Sequence, residues 1–172
     1  MYVDEAGINL LPSVQRTYAP CGQTPIVQQD CKYTHVSVIS GISPKGELIY
    51  TTRNKSFDGD AIVEFLKKVL SCFKHQVHLI WDGAKIHVGE AVKNFLTNNP
   101  DAKRLQLYRI PPYSPQLNAD EQVWNHIKNV KLKNTFFKNL TTLKQNVESA
   151  MAELQTQTET VKAFFQHPQV KW

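Results

Sequence analysis

The chain has 172 residues, a length that fits one domain, and its 41% hydrophobic and 20% charged residues are typical of a folded globular protein. This composition excludes a disordered or collagen-like chain. Twenty Lys and Arg against fifteen Asp and Glu give a net charge of +5, which favours polyanionic partners. The sequence therefore predicts a single basic domain over residues 1–172.

The cysteines and the apolar runs limit the cellular setting. Cys21, Cys31 and Cys72 are odd in number and include no C-x-x-C pair, so neither a disulfide framework nor a cysteine-based zinc site is expected. The apolar run Val77–Trp81 is far shorter than the roughly 20 residues that cross a bilayer. No signal peptide is recognisable at the start. We expect a cytoplasmic protein with no membrane partner.

The first part of the chain favours strands. Met1–Val3 predicts a very short strand that ends at two acids, and residues 8–30 predict turns with a short strand around Arg16–Ala19. The β-branched segment Thr34–Ile42 and the segment Glu47–Thr52 flank a Ser-Pro-Lys-Gly turn. These two segments predict an antiparallel hairpin.

Helices and strands then alternate. Apolar residues at helical spacing predict an amphipathic helix from the N-cap Asp58 to Phe73. A buried strand over Val77–Trp81, a helix over Val88–Leu96 and a strand over Leu105–Ile110 follow. Strands separated by helices pair in parallel, so the hairpin and the later strands together predict a mixed sheet.

Prolines stop the last strand, and two helical regions follow it. Asn118 is predicted to open a helix, and Thr141–Leu154 carries apolar residues at helical spacing. The buried stripe of the first of these helices is predicted to be Ala119, Val123, Ile127 and Val130. The fold class is thus α/β, with a mixed five-stranded sheet, flanking helices and extra C-terminal helices.

Three acids occupy places where a site forms. Asp4 and Asp82 lie at the carboxyl ends of predicted strands, and Glu121 lies in the first turn of the helix after the last strand. Loops beyond the carboxyl ends of parallel strands meet at one edge of a sheet. Clustered carboxylates are usually neutralised by Mg²⁺ or Mn²⁺, and two such ions about 3.5 to 4 Å apart serve phosphodiester chemistry.

Each acid also has a structural interpretation. Asp82, before Gly83, suits an Asx-turn or a helix cap. Glu121, three residues after Asn118, suits a capping box. Asp4 suits a solvated acid near a frayed terminus. The spacing of the acids does not decide between these roles and a metal site.

Helix geometry places Glu121 away from the aliphatic stripe. At about 100° per residue, Asn125, Lys128 and Leu132 fall on the same side of the helix as Glu121. This face offers a metal ligand beside phosphate contacts. An ordinary solvated helix face has the same composition, and for Lys128 alone that interpretation is the more common one.

Three blocks of sequence resemble a known family. They are Tyr2-Val3-Asp4-Glu5, the block Ile80-Trp81-Asp82-Gly83-Ala84-Lys85-Ile86-His87, and Pro111–Trp124, which contains Pro-Pro-Tyr-Ser-Pro-Gln-Leu-Asn-Ala-Asp-Glu. In order and separation they resemble the catalytic domain of the DDE transposases of the mariner superfamily, in its bacterial insertion-sequence branch. The resemblance spans nearly the whole chain, and the third block is the most specific.

The resemblance implies an RNase H-like fold and metal-dependent cutting and joining of DNA. It implies that Asp4, Asp82 and Glu121 are the catalytic, metal-binding triad for two Mg²⁺ or Mn²⁺ ions. One ion would help deprotonate water or a 3′-hydroxyl, and the other would stabilise the departing 3′-oxygen. The implied partners are double-stranded transposon ends and target DNA, bound by a homodimer at the bacterial nucleoid.

The chain departs from the family pattern at several positions. Gly83 stands where many relatives have Asn, and Ala119-Asp120 stands where many have Pro-Ile. Asp120 makes the choice of carboxylate ambiguous, but the following Gln-Val-Trp aligns Glu121 with the acid of the family. His87 matches a recurrent histidine of the family and, with Asn118, is a candidate accessory residue, although a packed histidine is equally compatible.

Basic residues suggest how DNA would be held. Lys85, Asn125, Lys128 and Lys131 are the candidate phosphate contacts, and residues 122–172 hold seven Lys against three Glu. A solvated helical tail is the alternative. Relatives carry an N-terminal helix-turn-helix module, whereas three residues precede Asp4 here. We therefore expect weak sequence-specific recognition unless a separate module or reading-frame partner supplies it.

Three other functions fit parts of the sequence. A catalytically inactive remnant would act as a DNA-binding or dimerisation protein, and a stand-alone RNase H-like nuclease would cleave without joining. A hydrolase built on Ser114, His87 and Asp82 is the third, but the sequence has no G-x-S-x-G elbow to support it.

Overall fold

A mixed sheet forms the centre of the molecule. The computed structural model describes residues 1–11, 18–23, 34–166 and 170. The strands are β1 (Tyr2–Asn9), β2 (His35–Ile42), β3 (Leu48–Arg53), β4 (Val77–Trp81) and β5 (Leu105–Arg109), in the order β3-β2-β1-β4-β5. Strands β1 to β3 pair antiparallel, and β4 lies parallel to β1 and β5. The predicted five-stranded mixed sheet and its hairpin are confirmed.

Strand β1 is much longer than predicted. It pairs with β2 residue by residue from Tyr2 opposite Ile42 to Asn9 opposite His35. The segment Asp-Glu-Ala-Gly has little strand propensity of its own, but β2 supplies hydrogen-bond partners for its backbone. The prediction that the strand stops at Val3 is therefore wrong, and Asp4 lies inside β1.

Helices cover both faces of the sheet. They are α1 (Gly59–Cys72), α2 (Glu90–Asn98), α3 (Glu121–His126), α4 (Leu140–Thr156) and α5 (Thr158–Phe164). Asp58 caps α1 as predicted, because its carboxylate accepts the N–H of Ala61 at 2.9 Å. The helix predicted from Val88 instead begins at Glu90, after a 3-10 turn over Lys85–Val88.

The alternation of side chains along β1 divides the core into two layers. Val3 packs with α1 and α2 on one face, in a cluster that includes Phe65 and Trp81. Tyr2 packs with α3, α4 and α5 on the other face, in a cluster that includes Val123. Asp4 therefore points towards α3, and Glu5 points towards the opposite side of the sheet.

A π-helical segment, Ile127–Lys131, continues α3 and changes its register. The N–H of Leu132 donates to the carbonyl of Ile127 at 2.9 Å, a bond that spans five residues. Leu132 is consequently buried at 8% exposure, whereas Val130 is 61% exposed. The predicted stripe is therefore wrong at Val130, and so is the placement of Leu132 beside Glu121.

Some predictions fall on parts of the chain outside the described residues. Arg16 and Thr17 of the predicted short strand are among them, as is Cys31, while Tyr18 and Ala19 are not in a strand. Cys21 and Cys72 are exposed free thiols. Within the described part of the chain, no helix has the length and apolar character that crossing a membrane requires.

Candidate active site

Asp4 and Asp82 lie side by side where strands β1 and β4 stop pairing. The parallel pairing of these strands places Tyr2 beside Ile80, and each acid follows its partner by two residues, Asp4 in β1 and Asp82 just after β4. Beyond that point β1 continues along β2 while β4 ends. The resulting opening is at the carboxyl end of β4, where sites of this sheet type form.

Asp4 is mostly buried and well hydrogen-bonded. One carboxylate oxygen accepts the N–H of Glu5 at 2.9 Å, and the other accepts Nε1–H of Trp124 at 3.1 Å. Burial raises the pKa of Asp4 from its usual 3.8 to about 7, and the negative charges of Glu121 and Asp82 act in the same direction. Asp4 is thus not the solvated terminal acid of the alternative interpretation.

Asp82 is exposed and forms the predicted Asx-turn. Its Oδ1 accepts the N–H of Ala84 at 2.9 Å and also lies 2.8 Å from Nδ1 of His87. Its side chain is 55% exposed. The turn fixes the position of the carboxylate but leaves it open to the solvent, so the structural role and a ligand role are compatible at this residue.

Glu121 is the first residue of α3, and the predicted capping box is not formed. The residue before α3 is Asp120, which makes no capping side-chain bond. Asn118 is buried, and its Oδ1 accepts the N–H of Asp120 at 3.2 Å while its Nδ2 donates to the carbonyl of Val3 at 3.4 Å. Asn118 therefore ties the loop before α3 to β1 instead of opening the helix.

One cavity collects the three acids. It measures about 360 Å³ and is lined by Asp4, Asp82, Glu121, Asn118, residues 83–84 and the proline-rich loop 110–115. Asp120 does not line it. Its carboxyl is fully buried against Ser40, whose hydroxyl donates to Oδ2 at 2.6 Å. The structure thus directs Glu121, and not Asp120, into the cavity.

Asp120 is a buried acid of a different kind. Its Oδ1 has no hydrogen-bond partner among the described residues. Burial raises the pKa of Asp120 well above its usual value, the charges of Asp4 and Glu121 add to this, and the bond from Ser40 opposes it. The neutral acid is favoured beneath the cavity, which limits the negative charge there.

The donor set of the cavity suits a hard divalent cation. Three carboxylates supply oxygen ligands, and their mutual repulsion, visible in the raised pKa of Asp4, is relieved by a positive ion. Among the described residues, however, no three His, Cys, Asp or Glu side chains are already grouped to coordinate one ion. Coordination of one ion by all three acids therefore requires their side chains to move closer together than they lie here.

His87 is buried next to the cavity. Its Nε2 lies 2.6 Å from Oε1 of Glu5, its Nδ1 lies 2.8 Å from Oδ1 of Asp82, and its ring stacks parallel on Trp81 at 4.3 Å. Burial lowers the pKa of His87, but the hydrogen bond and charge of Glu5 and then the contact with Asp82 outweigh it and raise the pKa. Both ring nitrogens face carboxylates, so neither is directed at Ser114 for a hydrolase triad.

The four candidate phosphate contacts are dispersed, and none is among the described residues lining the cavity. Lys85 is exposed in the 3-10 turn, and Asn125 is exposed and accepts the amide of Asn129 at 2.7 Å. Lys128 lines a second cavity, and Lys131 forms an ion pair with Glu153 at 2.6 Å. The structure therefore places Lys85 on the same short loop as Asp82 and the other three along α3 and the π segment.

Sequence reasoning missed several neighbours of the acids. Trp124, Glu5 and Ser40 hold the site together through hydrogen bonds between residues that are far apart in sequence. Tyr113, on the rim of the cavity, is fully exposed and has a positive φ of 56°. The proline-rich loop signals a turn, but no sequence signal identifies the partners of the buried residues.

Comparisons with known proteins agree with this architecture. The family model described as DDE superfamily endonuclease matches residues 1–144. Two solved structures, the mariner Mos1 paired end complex with Mg and the Mos1 transposase paired-end complex with left transposon end, are each 14% identical. Their TM-scores are 0.66 and 0.64, over 96% and 94% of this chain. This chain spans about half of those proteins, 52% and 54%.

A third structure isolates the corresponding part. The catalytic domain of the Mos1 mariner transposase is 12% identical, with a TM-score of 0.55 over 94% of this chain and 79% of that chain. No curated protein sequence matches the chain. At these identities the likeness shows the fold alone, and it confirms the predicted RNase H-like fold, a mixed five-stranded sheet with flanking helices.

Proposed function

We propose, since this chain belongs to the DDE superfamily endonuclease family, that it is a transposase catalytic domain that cuts phosphodiester bonds at transposon ends and joins the 3′-hydroxyl to target DNA. The observation that carries the proposal is the single cavity lined by Asp4, Asp82 and Glu121. These three residues are the proposed catalytic triad.

The same three carboxylates would hold Mg²⁺ or Mn²⁺. The Mg-bound Mos1 complex, a structure of similar fold, supports this choice of ion. Two such ions would supply Lewis acidity for activating a nucleophile and stabilising a leaving oxygen. The finer assignment of the chain to the bacterial insertion-sequence branch stays a prediction.

The residues of the chain have distinct tasks in this proposal. Trp124 and the N–H of Glu5 hold the carboxylate of Asp4 in place from α3 and β1. Asn118 fixes the loop that delivers Glu121. Asp82 contributes an exposed carboxylate to the lining of the cavity. The acids thus come from three separate segments of the chain: β1, the loop after β4 and the start of α3.

DNA is the proposed substrate and partner. The net charge of +5 favours a polyanion, and one of the similar Mos1 structures contains a transposon end. Lys85, Asn125 and Lys128 are the proposed phosphate contacts. Lys131 would contribute only by exchanging its ion pair with Glu153. A homodimer on DNA and a separate end-binding module complete the proposed assembly.

The test is metal-dependent nicking and strand transfer on duplex DNA by wild type and by Asp4→Asn, Asp82→Asn and Glu121→Gln. Each substitution keeps the shape of the side chain and removes its charge, so we expect activity to fall by roughly 100-fold or more. Glu90→Gln is the matched control, because Glu90 is the first residue of α2 as Glu121 is of α3. It should retain activity.

The outcomes separate the alternatives. Cleavage without joined products identifies a stand-alone nuclease. A folded wild-type protein that neither binds Mn²⁺ nor nicks DNA identifies an inactive remnant. Full activity in Glu121→Gln would remove Glu121 from the triad.

A further inference from the structure

A chain of contacts runs from Glu5 through the buried ring of His87 to Asp82, and its first two members are outside the proposed triad. Glu5 and Asp82 are 77 residues apart in sequence, yet both contact the same imidazole, at 2.6 Å on Nε2 and 2.8 Å on Nδ1. His87 is only 4% exposed. Nε2 is thus engaged by the carboxylate of Glu5, and Nδ1 is engaged by Asp82 through both its carboxylate and its backbone carbonyl, the latter at 3.3 Å. This is a more specific arrangement than a histidine that merely fills space.

The imidazole is held rigidly in three ways. Its plane is fixed by parallel stacking on Trp81, with ring centroids 4.3 Å apart and an interplanar angle of 0°. Its rotation in that plane is fixed by Glu5, whose side chain is only 20% exposed. Its backbone is fixed by a 3-10 turn in which the N–H of His87 donates to the carbonyl of Ala84 at 3.0 Å.

Asp82, by contrast, needs support. It lies beyond the end of β4, and its side chain is 55% exposed. Among the described residues, its carboxylate accepts one hydrogen bond, the Asx-turn bond from Ala84 to Oδ1, and the same oxygen lies 2.8 Å from Nδ1 of His87. The hydrogen bond of that ring nitrogen goes to the backbone carbonyl of Asp82 at 3.3 Å. The Asx-turn bond alone leaves the carboxylate free to rotate about χ2. The contact between Nδ1 of His87 and Oδ1 adds a second fixed point for this carboxylate.

We propose that Glu5 and His87 are positioning residues that orient the carboxylate of Asp82 as a cation ligand, acting from the face of the sheet opposite Asp4. Asp4 and Glu5 are neighbours in β1, and their side chains point to opposite faces of the sheet. Asp4 would therefore be a cation ligand on one face, while Glu5 would support the ligand Asp82 from the other face. This proposal rests on the proposed function, in which Asp82 binds a divalent cation.

Groups that hydrogen-bond to metal ligands without contacting the metal strongly affect the affinity for the metal ion. Removing such a partner typically weakens metal binding or activity about 10- to 100-fold. Loss of Glu5 removes the acceptor at Nε2, so the ring is free to tilt and Asp82 loses its second fixed point. Glu5→Gln keeps an acceptor oxygen at the same position, so it should keep most of the metal affinity and activity that Glu5→Ala loses.

The first measurement uses metal-free protein and NMR of the His87 ring nitrogens and their protons. We expect a slowly exchanging ring proton in wild type that is shifted or lost in Glu5→Ala and restored in Glu5→Gln. Asp82→Asn should shift the signal of the other nitrogen, Nδ1. Ring signals that are identical in wild type and Glu5→Ala would overturn the proposal.

The second measurement is Mn²⁺ affinity by titration, with nicking rates measured as a function of Mn²⁺ concentration. We expect Glu5→Ala to bind Mn²⁺ about 10-fold more weakly and to need correspondingly more Mn²⁺, with an unchanged KM for DNA. A purely structural role would instead lower the melting temperature and leave the Mn²⁺ affinity of the folded protein unchanged. Glu47→Ala is the control, since Glu47 also accepts a side-chain hydrogen bond, from Ser43, outside the site.

The two proposals fail in different ways. A wild type that binds Mn²⁺ with the same affinity as Glu5→Ala overturns the positioning role alone. A folded wild type that binds no Mn²⁺ overturns the proposed function and the positioning role with it. If Glu5→Ala does not fold, a Glu5→Gln variant that folds but binds Mn²⁺ 10-fold more weakly contradicts the role of the acceptor oxygen.

Discussion

Asp4 is the residue at which the burial and the charge of the cavity act together. Its carboxylate is held by Trp124 and by the N–H of Glu5, and it feels the charges of Glu121 and Asp82. Both hydrogen bonds favour the ionised form, but burial and repulsion outweigh them. Asp4 therefore binds a proton near neutral pH unless a cation compensates its charge.

A pH dependence of stability follows at this residue. In metal-free protein we expect the free energy of unfolding to fall between about pH 4 and pH 7, because Asp4 has a pKa of about 7 when folded and 3.8 when unfolded. The folded chain holds more protons in that interval, so removing them favours unfolding. The upper limit for Asp4 is roughly 4 kcal/mol, at about 1.4 kcal/mol per pKa unit. Denaturant unfolding in EDTA from pH 4 to pH 8 measures it.

Two further groups act in the same direction and must be separated from Asp4. Asp120 also has a raised pKa. The pKa of His87 is raised above its usual 6.5, so this residue makes the free energy of unfolding keep falling above pH 6.5. The Asp4→Asn variant isolates the share of Asp4, since it keeps the other two groups. A slope as steep in Asp4→Asn as in wild type would contradict the assignment. Mg²⁺ should stabilise wild type above pH 7 more than the variant.

The π-helical segment after α3 determines which residues of that element are buried. A regular helix would repeat the stripe of Val123 and Ile127 at Val130, but the wider π turn inserts an extra residue. Leu132 enters the core in its place. The segment also places Lys128 at the edge of the second cavity, beside β1. Which side chains this element buries and which it exposes thus depends on a local irregularity.

Paired alanine substitutions test this register. Leu132→Ala should destabilise the protein by about 2 to 4 kcal/mol because it leaves a cavity in the core. Val130→Ala should change stability by less than about 0.5 kcal/mol, since Val130 is largely exposed. Thermal and denaturant unfolding of both variants give the comparison. A regular helix predicts the opposite order of the two losses.

At the scale of the whole molecule, contacts between the β2–β3 hairpin and helices α4 and α5 hold these helices against the sheet. The turn between β2 and β3 lies against the start of α5, where Gly46 approaches Thr158. Tyr50 and Thr52 of β3 both donate to Glu148 of α4, the hydroxyl of Thr52 to the carboxylate at 2.5 Å. These contacts join elements about 100 residues apart in sequence and keep α4 and α5 on the face that carries Asp4.

Gly46→Ala tests the contact between the β2–β3 turn and the start of α5. A Cβ at Gly46 would overlap the carbonyl oxygen of Thr158 and lie 2.5 Å from its Cγ2, and Gly46 has a φ of +85°. We expect a loss of about 3 kcal/mol or more, from strain and from displacement of α5. Gly22→Ala is the control, because Gly22 has a φ of +78° and no atom of the described residues lies within 4 Å of its Cβ position. It should cost only about 1 kcal/mol. Equal losses in denaturant unfolding would show that α5 does not constrain the turn.

Much of the fold is predictable because its signals are local. The spacing of apolar residues and the Asp58 cap define α1, the Ser-Pro-Lys-Gly turn defines the hairpin, and the prolines after β5 end that strand. The positions of Asp82 and Glu121 follow from the same local signals, since each lies where a predicted element ends or begins. The sequence by itself therefore determined the order of elements, the mixed sheet and the candidate acids.

Only the tertiary structure decided the remaining features, because they depend on partners distant in sequence. Strand β1 extends to Asn9 since β2 pairs with it, and Leu132 replaces Val130 because the core accepts the wider π turn. Asp120 is buried because Ser40 lies opposite it, which leaves Glu121 to line the cavity. Hydrogen bonds and burial between distant segments form only on folding, so no sequence pattern records them.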